Sequence, residues 1–170
     1  MATALGGAKI GLSISALLRN LLDGRTVEDS ISYNPTLVFV DGTGANQATK
    51  SFLDTRTLAA SANESLDLAG GLTDAFGNAL TFTKIRALMI RAAAGNTNNV
   101  LVGGAASNGF VTPFSDATDV AVVRPGGLLL LAAPDATGYA VTAGTGDLLK
   151  VANGGGSSAV TYDIFLLGTT

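Results

Sequence analysis

Short apolar runs recur along the chain, each closed by Gly, Asn, Asp or Pro. Leu37–Val40 ends at Asp41-Gly-Thr-Gly44, Asn99–Val102 at Gly103-Gly104, and Asp119–Val123 at Pro125-Gly-Gly127. Further runs follow at Tyr139–Thr142, Asp147–Val151 and Val160–Leu167. Runs of four to eight residues between turn formers predict strands rather than helices. In Lys84–Arg91, Ile85, Ala87 and Met89 alternate with Arg86, Leu88 and Ile90. In the last run, Val160, Tyr162, Ile164 and Leu166 form one face. Thr161, Asp163, Phe165 and Leu167 form the other, which is polar only at its start. That pattern fits a strand that leaves a solvated edge and enters a region covered on both sides.

The stretch RPGGLLLLAAPDATGY (124–139) poses the sharpest question. Four successive leucines on a strand point to both faces of a sheet. One face packs the core, and the other must meet a flanking strand, a neighbouring subunit or a larger scaffold. Leu128, Leu129, Leu130 and Leu131 are therefore candidate interface residues. Phe110, Phe114 and Tyr139 lie in or beside Gly-, Pro- and Asp-rich loops. Each is an anchor tucked over the end of the fold, a contact for another protein, or a platform for a sugar.

The N-terminal segment, 1–24, reads two ways. Ile14, Leu17, Leu18, Leu21 and Leu22 have helical spacing, with Gly24 where a helix would stop. Ile10, Leu12 and Ile14 also alternate with Gly11, Ser13 and Ser15, and Asp23-Gly24 is a hairpin signal. The β character of everything that follows favours a strand or extended arm. Residues 25–170 are expected to form a single domain. Thr57–Asn63 and Gly70–Leu80 look less regular, and NGGGSS (153–158) looks like a flexible loop. Eight to ten antiparallel strands are expected in all. The expected fold class is mainly β: an antiparallel β-sandwich, jelly-roll-like, with an N-terminal arm or short helix.

Composition narrows the partners. Apolar residues make up 47 % of the 170 and charged residues only 14 %, against about 25 % charged in an ordinary globular chain. Too little charge is present to coat a lone subunit generously, so another chain is expected to cover part of the surface. The net charge is −3, and no basic run exists. Nucleic acid, which needs several cations on one face, is set aside as a partner. The longest apolar run falls far short of a membrane helix, and no membrane partner is expected.

The inventory also speaks against an enzyme. Without Cys or His, no Ser-His-Asp, Cys-His or imidazole–metal arrangement can form. The two glutamates are Glu28 and Glu64, and most aspartates sit beside turn formers. Asp116, Asp119 and Asp135 are the nearest thing to a calcium set, but two aspartates three apart match no calcium loop. GTGANQ (42–47) and GTGDLLK (144–150) lack the spacing of a phosphate cradle and read as turns. No catalytic residues, metal ligands or cofactors are expected.

Three stretches carry a resemblance: LTDAFGNALTFTKIRALMIRAA, NVLVGGAASNGFVTPF and ATDVAVVRPGGLLLLAAPDATGYAVTAGTGDLLKV, spanning 72–151. With the low charge and the absence of Cys, His and Trp, they resemble virion structural proteins of tailed bacteriophages, most of all head decoration (cement) proteins. The resemblance implies a jelly-roll-like module that forms dimers or trimers. It would sit on the capsid surface, bind the major capsid protein or another virion protein, and bridge capsomers. A tail, collar or fibre-associated protein and a carbohydrate-binding β-sandwich are the alternatives.

Overall fold

A computed structural model describes residues 4–170; the first three residues of the expected arm lie outside the described residues. Among the described residues the chain forms sixteen strands and no helix. The N-terminal third gives β1 (Ala8–Gly11), β2 (Ile14–Leu22), β3 (Arg25–Tyr33), β4 (Thr36–Asp41), β5 (Gln47–Ala48) and β6 (Lys50–Leu58). The middle gives β7 (Asn63–Asp67), β8 (Ala69–Thr73), β9 (Ala79–Thr81), β10 (Lys84–Ala92) and β11 (Val100–Gly103). The last third gives β12 (Val120–Val123), β13 (Leu128–Ala132), β14 (Tyr139–Ala140), β15 (Leu148–Asn153) and β16 (Val160–Thr169).

Two antiparallel sheets make the body. One runs β13-β10-β16-β6, with β14 also pairing β10; the other runs β12-β11-β15-β7. Their inward side chains share one core. Leu88, Ile90, Ile164 and Leu166 come from the first sheet; Val100, Val102, Leu149 and Val151 come from the second. The small β8-β9 hairpin adds Leu72 and Leu80. Arg56 on β6 and Glu64 on β7 join the two sheets at one side, Nη1 to Oε2 at 2.5 Å. The Tyr162 hydroxyl donates to the other Glu64 oxygen at 2.8 Å. Burial and the neighbouring carboxylate push the Tyr162 phenol well above its ordinary value, so it stays a donor at any working pH.

The central strand β16 bears out its two-faced pattern. Val160, Tyr162, Ile164 and Leu166 are fully buried between the sheets. On the opposite face Thr161 and Asp163 are half-buried, and Leu167 is covered completely. The cover is a third, small sheet, β1-β4-β5, which lies on the outer face of the first sheet. There Phe39 and Ala48 meet Ala87 and Leu167, flanked by Ile10, Leu37, Ala132 and Phe165.

The N-terminal segment is strand, not helix. Its helical spacing loses to hairpin chemistry: Asp23-Gly24 turns the chain, with Gly24 in the left-handed region at φ 77°, and β2 pairs with β3 along nine positions, Ile14↔Tyr33 to Leu22↔Arg25. Residue 24 is thus the tip of a ribbon, and β3 returns along β2. The ribbon continues the β1–β4 ladder, Ala8↔Phe39 to Gly11↔Thr36, without a change of register. Between the two ladders Leu12 N–H donates to the Pro35 carbonyl at 3.1 Å. Pro35 has no N–H to return, which interrupts the ladder there.

Arg86 departs most from expectation for a charged residue in an alternating run. A register shift between Ile85 and Ala87 makes it a bulge residue, and it is fully buried. NGGGSS is likewise tied down: the Asn153 amide donates to the carbonyls of Ala59 at 3.0 Å and Ser158 at 2.7 Å.

Candidate interaction surface

The leucine run divides as a strand must. β13 is the edge of the first sheet. Leu129 and Leu131 pack against the core, while Leu128 and Leu130 share the outer face with Met89, each pairing with a β10 residue. Leu128 keeps 54 % of its surface exposed. Phe110 is buried in the core, and Phe114 and Tyr139 pack against it from its margin. The three loop aromatics thus behave as anchors, and Phe110 has no surface left to offer a partner.

The outer face of the first sheet is half covered. At one end the β1-β4-β5 sheet seals Ala87 and Leu167 and partly covers Ala132. The other end is open. Leu53 on β6 stands beside Phe165 on β16 and is 71 % exposed. Leu53, Met89, Arg91 and Asp163 line one shallow hollow there. Leu128, Leu130, Met89 and Phe165 line a second with Ile10 and Leu12, where the ribbon crosses the sheet. Arg91 and Asp163 face each other across the strands at 4.0 Å, an exposed pair of little energetic weight.

From Gly11 to Asn34 every residue of the ribbon is exposed. Directly opposed residues of an antiparallel pair share a face. Ile14, Ala16, Leu18, Leu22, Val27, Ile31 and Tyr33 therefore lie on one side, with Asn20, Arg25 and Asp29 as the polar members. The other side carries Ser15, Arg19, Thr26, Glu28, Ser30 and Ser32, with Leu17 and Leu21. Arg19 and Glu28 pair there at 2.8 Å. Of the sixteen exposed large apolar residues described, eight are on β2 and β3, so apolar exposure is concentrated rather than scattered. The alternation at 10–15 pointed to a strand; what sequence reasoning missed is that Val27, Ile31 and Tyr33 complete the same face from β3.

A second exposed feature is Phe76, at the tip between β8 and β9, 78 % exposed. Its turn is held by Asp74, whose carboxylate accepts from the N–H groups of Phe76 and Asn78, both at 2.9 Å. Those bonds, with Asn78 first, hold the Asp74 carboxyl below its ordinary value.

Behind the covered end, the Arg86 guanidinium donates only to backbone carbonyls: Gln47 at 3.2 Å, Thr43 at 2.8 Å, Gly44 at 2.9 Å, and Asp135. It knots the turns at 42–47 and 134–138 to β10. Gly138 sits against it: an added Cβ would approach Arg86 Nη1 to 3.0 Å. The GTGANQ turn thus presents oxygens inward to a resident cation. The carboxylates of Asp116, Asp119 and Asp135 are turn caps too. Asp116 accepts from Thr118 N–H at 2.9 Å and Asp135 from Thr137 N–H at 2.8 Å. Asp119 accepts from Asp116 N–H at 3.1 Å.

Comparison with family models, with curated proteins and with solved structures found no match to this chain.

Proposed function

We propose that this chain is a non-enzymatic structural protein of a tailed-phage virion, a decoration (cement) protein that sits on the capsid surface and bridges neighbouring capsomers. The observation that carries the reading is the 14–33 hairpin: an apolar face with no place inside its own chain, projecting from an all-β body. Such an element suits a protein whose work is to lie across neighbours. Many modest contacts made at once by a lattice-bound subunit add up to firm attachment. The rigid Phe76 tip offers a further point of contact.

The strand order supports a jelly-roll sandwich for the body. Taken in chain order, β6, β7, β10, β11, β12, β13, β15 and β16 are eight principal strands. The first sheet then reads 1-8-3-6 and the second 2-7-4-5. That is the order two interleaved Greek keys produce, an architecture common in viral shell proteins.

The test is to locate the chain in the virus that encodes it. Antibody labelling of purified virions is expected to decorate the head, and added protein is expected to saturate on heads stripped of it and raise the temperature at which they release DNA. Labelling confined to the tail or collar would replace this reading with a tail- or fibre-associated one. Absence from virions, with binding to immobilised glycans, would replace it with a carbohydrate-binding one.

A further inference from the structure

We infer that the chain assembles with itself by arm exchange: the apolar face of the 14–33 hairpin of one copy lies on the open outer face of the β13-β10-β16-β6 sheet of a second copy. The occupant follows from the ribbon's own continuity. Near the body, Ala8, Ile10, Leu37 and Phe39 form the face that covers that sheet in the same chain. Because the register is unbroken, that face becomes Ile14, Ala16, Leu18, Leu22, Val27, Ile31 and Tyr33 further out. The distal ribbon therefore carries the same apolar chemistry that already packs on this sheet. It is exposed throughout and does not serve its own body.

The receiving surface is the remainder of the same sheet, with exposed Leu53 and Leu128 and half-buried Met89 and Leu130. Arm and open face occur once each per chain, so copies of the chain satisfy both in equal number. Both surfaces are mainly apolar with few charges: Asp29 and Arg25 on the arm, Asp163, Asp54 and Arg91 on the sheet. Reversed placement brings Arg25 to the acidic side of the hollow and Asp29 to Arg91.

Size supports the same occupant. Nine residues of strand span about 30 Å, and two strands with their side chains are about 10 Å wide. Burying that footprint on both partners, for two arms, removes about 1,200 Å², the lower end of stable protein interfaces. Exchanged reciprocally between two copies, the contact makes a closed twofold dimer; passed head to tail through a closing rotation, it makes a ring of three. The inference does not depend on the virion reading. An oligomer that ignores heads would sink that reading and leave this one, and a monomer that binds heads would do the reverse.

Light scattering on the eluted protein at micromolar concentration is expected to give two or three times the 17.0 kDa of one chain. Leu18→Asp with Ile31→Asp on the arm is expected to reduce the mass to one chain, as is Leu53→Asp on the sheet. All three positions are exposed, so the thermal midpoint measured on the monomeric variants should match between them. The chain has no cysteine, which allows a direct check. A Leu18→Cys chain mixed with a Leu53→Cys chain is expected to form the mixed disulfide on oxidation. A wild-type monomer, an oligomer indifferent to these substitutions, or cross-linking only between two Leu18→Cys arms would overturn the proposal.

Discussion

β16 and β2 are built from nearly the same material. Each has six apolar residues, in ten positions for β16 and in nine for β2. Their fates are opposite: β16 has no exposed residue and β2 has nothing but exposed residues. Apolar content states a need for cover, and topology decides who supplies it. β16 lies between β10 and β6, with a second sheet on one face and the N-terminal sheet on part of the other. Among the described residues β2 has one partner, β3, and no layer above or below.

The contrast can be tested by substitution. The largest effect is expected at Arg86, which belongs wholly to the body. Arg86→Met leaves the carbonyls of Thr43, Gly44, Gln47 and Asp135 without their donor in a buried site. The expected loss is about 4 kcal/mol of stability, read from the urea midpoint at constant slope. A loss no larger than that of a surface substitution would mean those turns hold themselves.

Next come paired truncations. Ile164→Ala in β16 is expected to cost about 3 kcal/mol, as a buried aliphatic deletion does. Leu21→Ala in β2, at a position 83 % exposed, is expected to stay within about 0.5 kcal/mol. Leu21 lies on the polar side of the arm, so native mass should not change either. Equal costs would erase the distinction between the two strands.

The smallest effect concerns acid. The N–H of Gly138, then that of Thr137, holds the Asp135 carboxyl below its ordinary value. A depressed carboxyl contributes stability that is present in full above the unfolded value, near pH 4. It is lost as pH falls through the lower folded value. Asp135→Asn should therefore lower stability slightly at neutral pH and flatten the acid limb, so that the two profiles meet below the folded value. An NMR titration of Asp135 at or above the ordinary carboxylate range would refute the clamp.

Much of the body was legible because its strands announce themselves. β10, β11, β13, β15 and β16 are apolar runs set off by Gly, Pro or Asp, and β10 and β16, covered on much of both faces, need that composition most. β6 was not legible. Only Phe52 and Leu58 of KSFLDTRTL enter the core, because an edge strand beside an ion pair tolerates Asp54 and Arg56. β3 was hidden in the same way: RTVEDSISY is mostly polar, and its three apolar residues gain meaning only opposite β2. The arm's own sequence satisfied two periods at once, and Asp23-Gly24 was the tie-breaker. Arg86 left one trace: it shares its phase with Leu88 and Ile90, the residues that turned out to face the core. Nothing local says that the turns at 42–47 and 134–138 converge on it. The leucine question was answered in halves, because Leu129 and Leu131 depend on the chain's own fold and Leu128 and Leu130 on what is laid against it.

The position of β16 also sets a timetable. It sits at the middle of its sheet, yet Lys50 must wait for Gly168 and Leu58 for Val160. Until residue 169 has left the ribosome, β6 and β10 have no neighbour between them, and closing such distant contacts is slow. The hairpin at 14–33 needs only residues it already holds, and hairpins close in about 1–10 μs. During synthesis the arm is therefore finished long before the surface on which any arm could rest. On crowded ribosomes, nascent neighbours would present apolar ribbons with nowhere to dock. Arg19, Arg25, Glu28 and Asp29 give that ribbon its solvated positions until the body is complete.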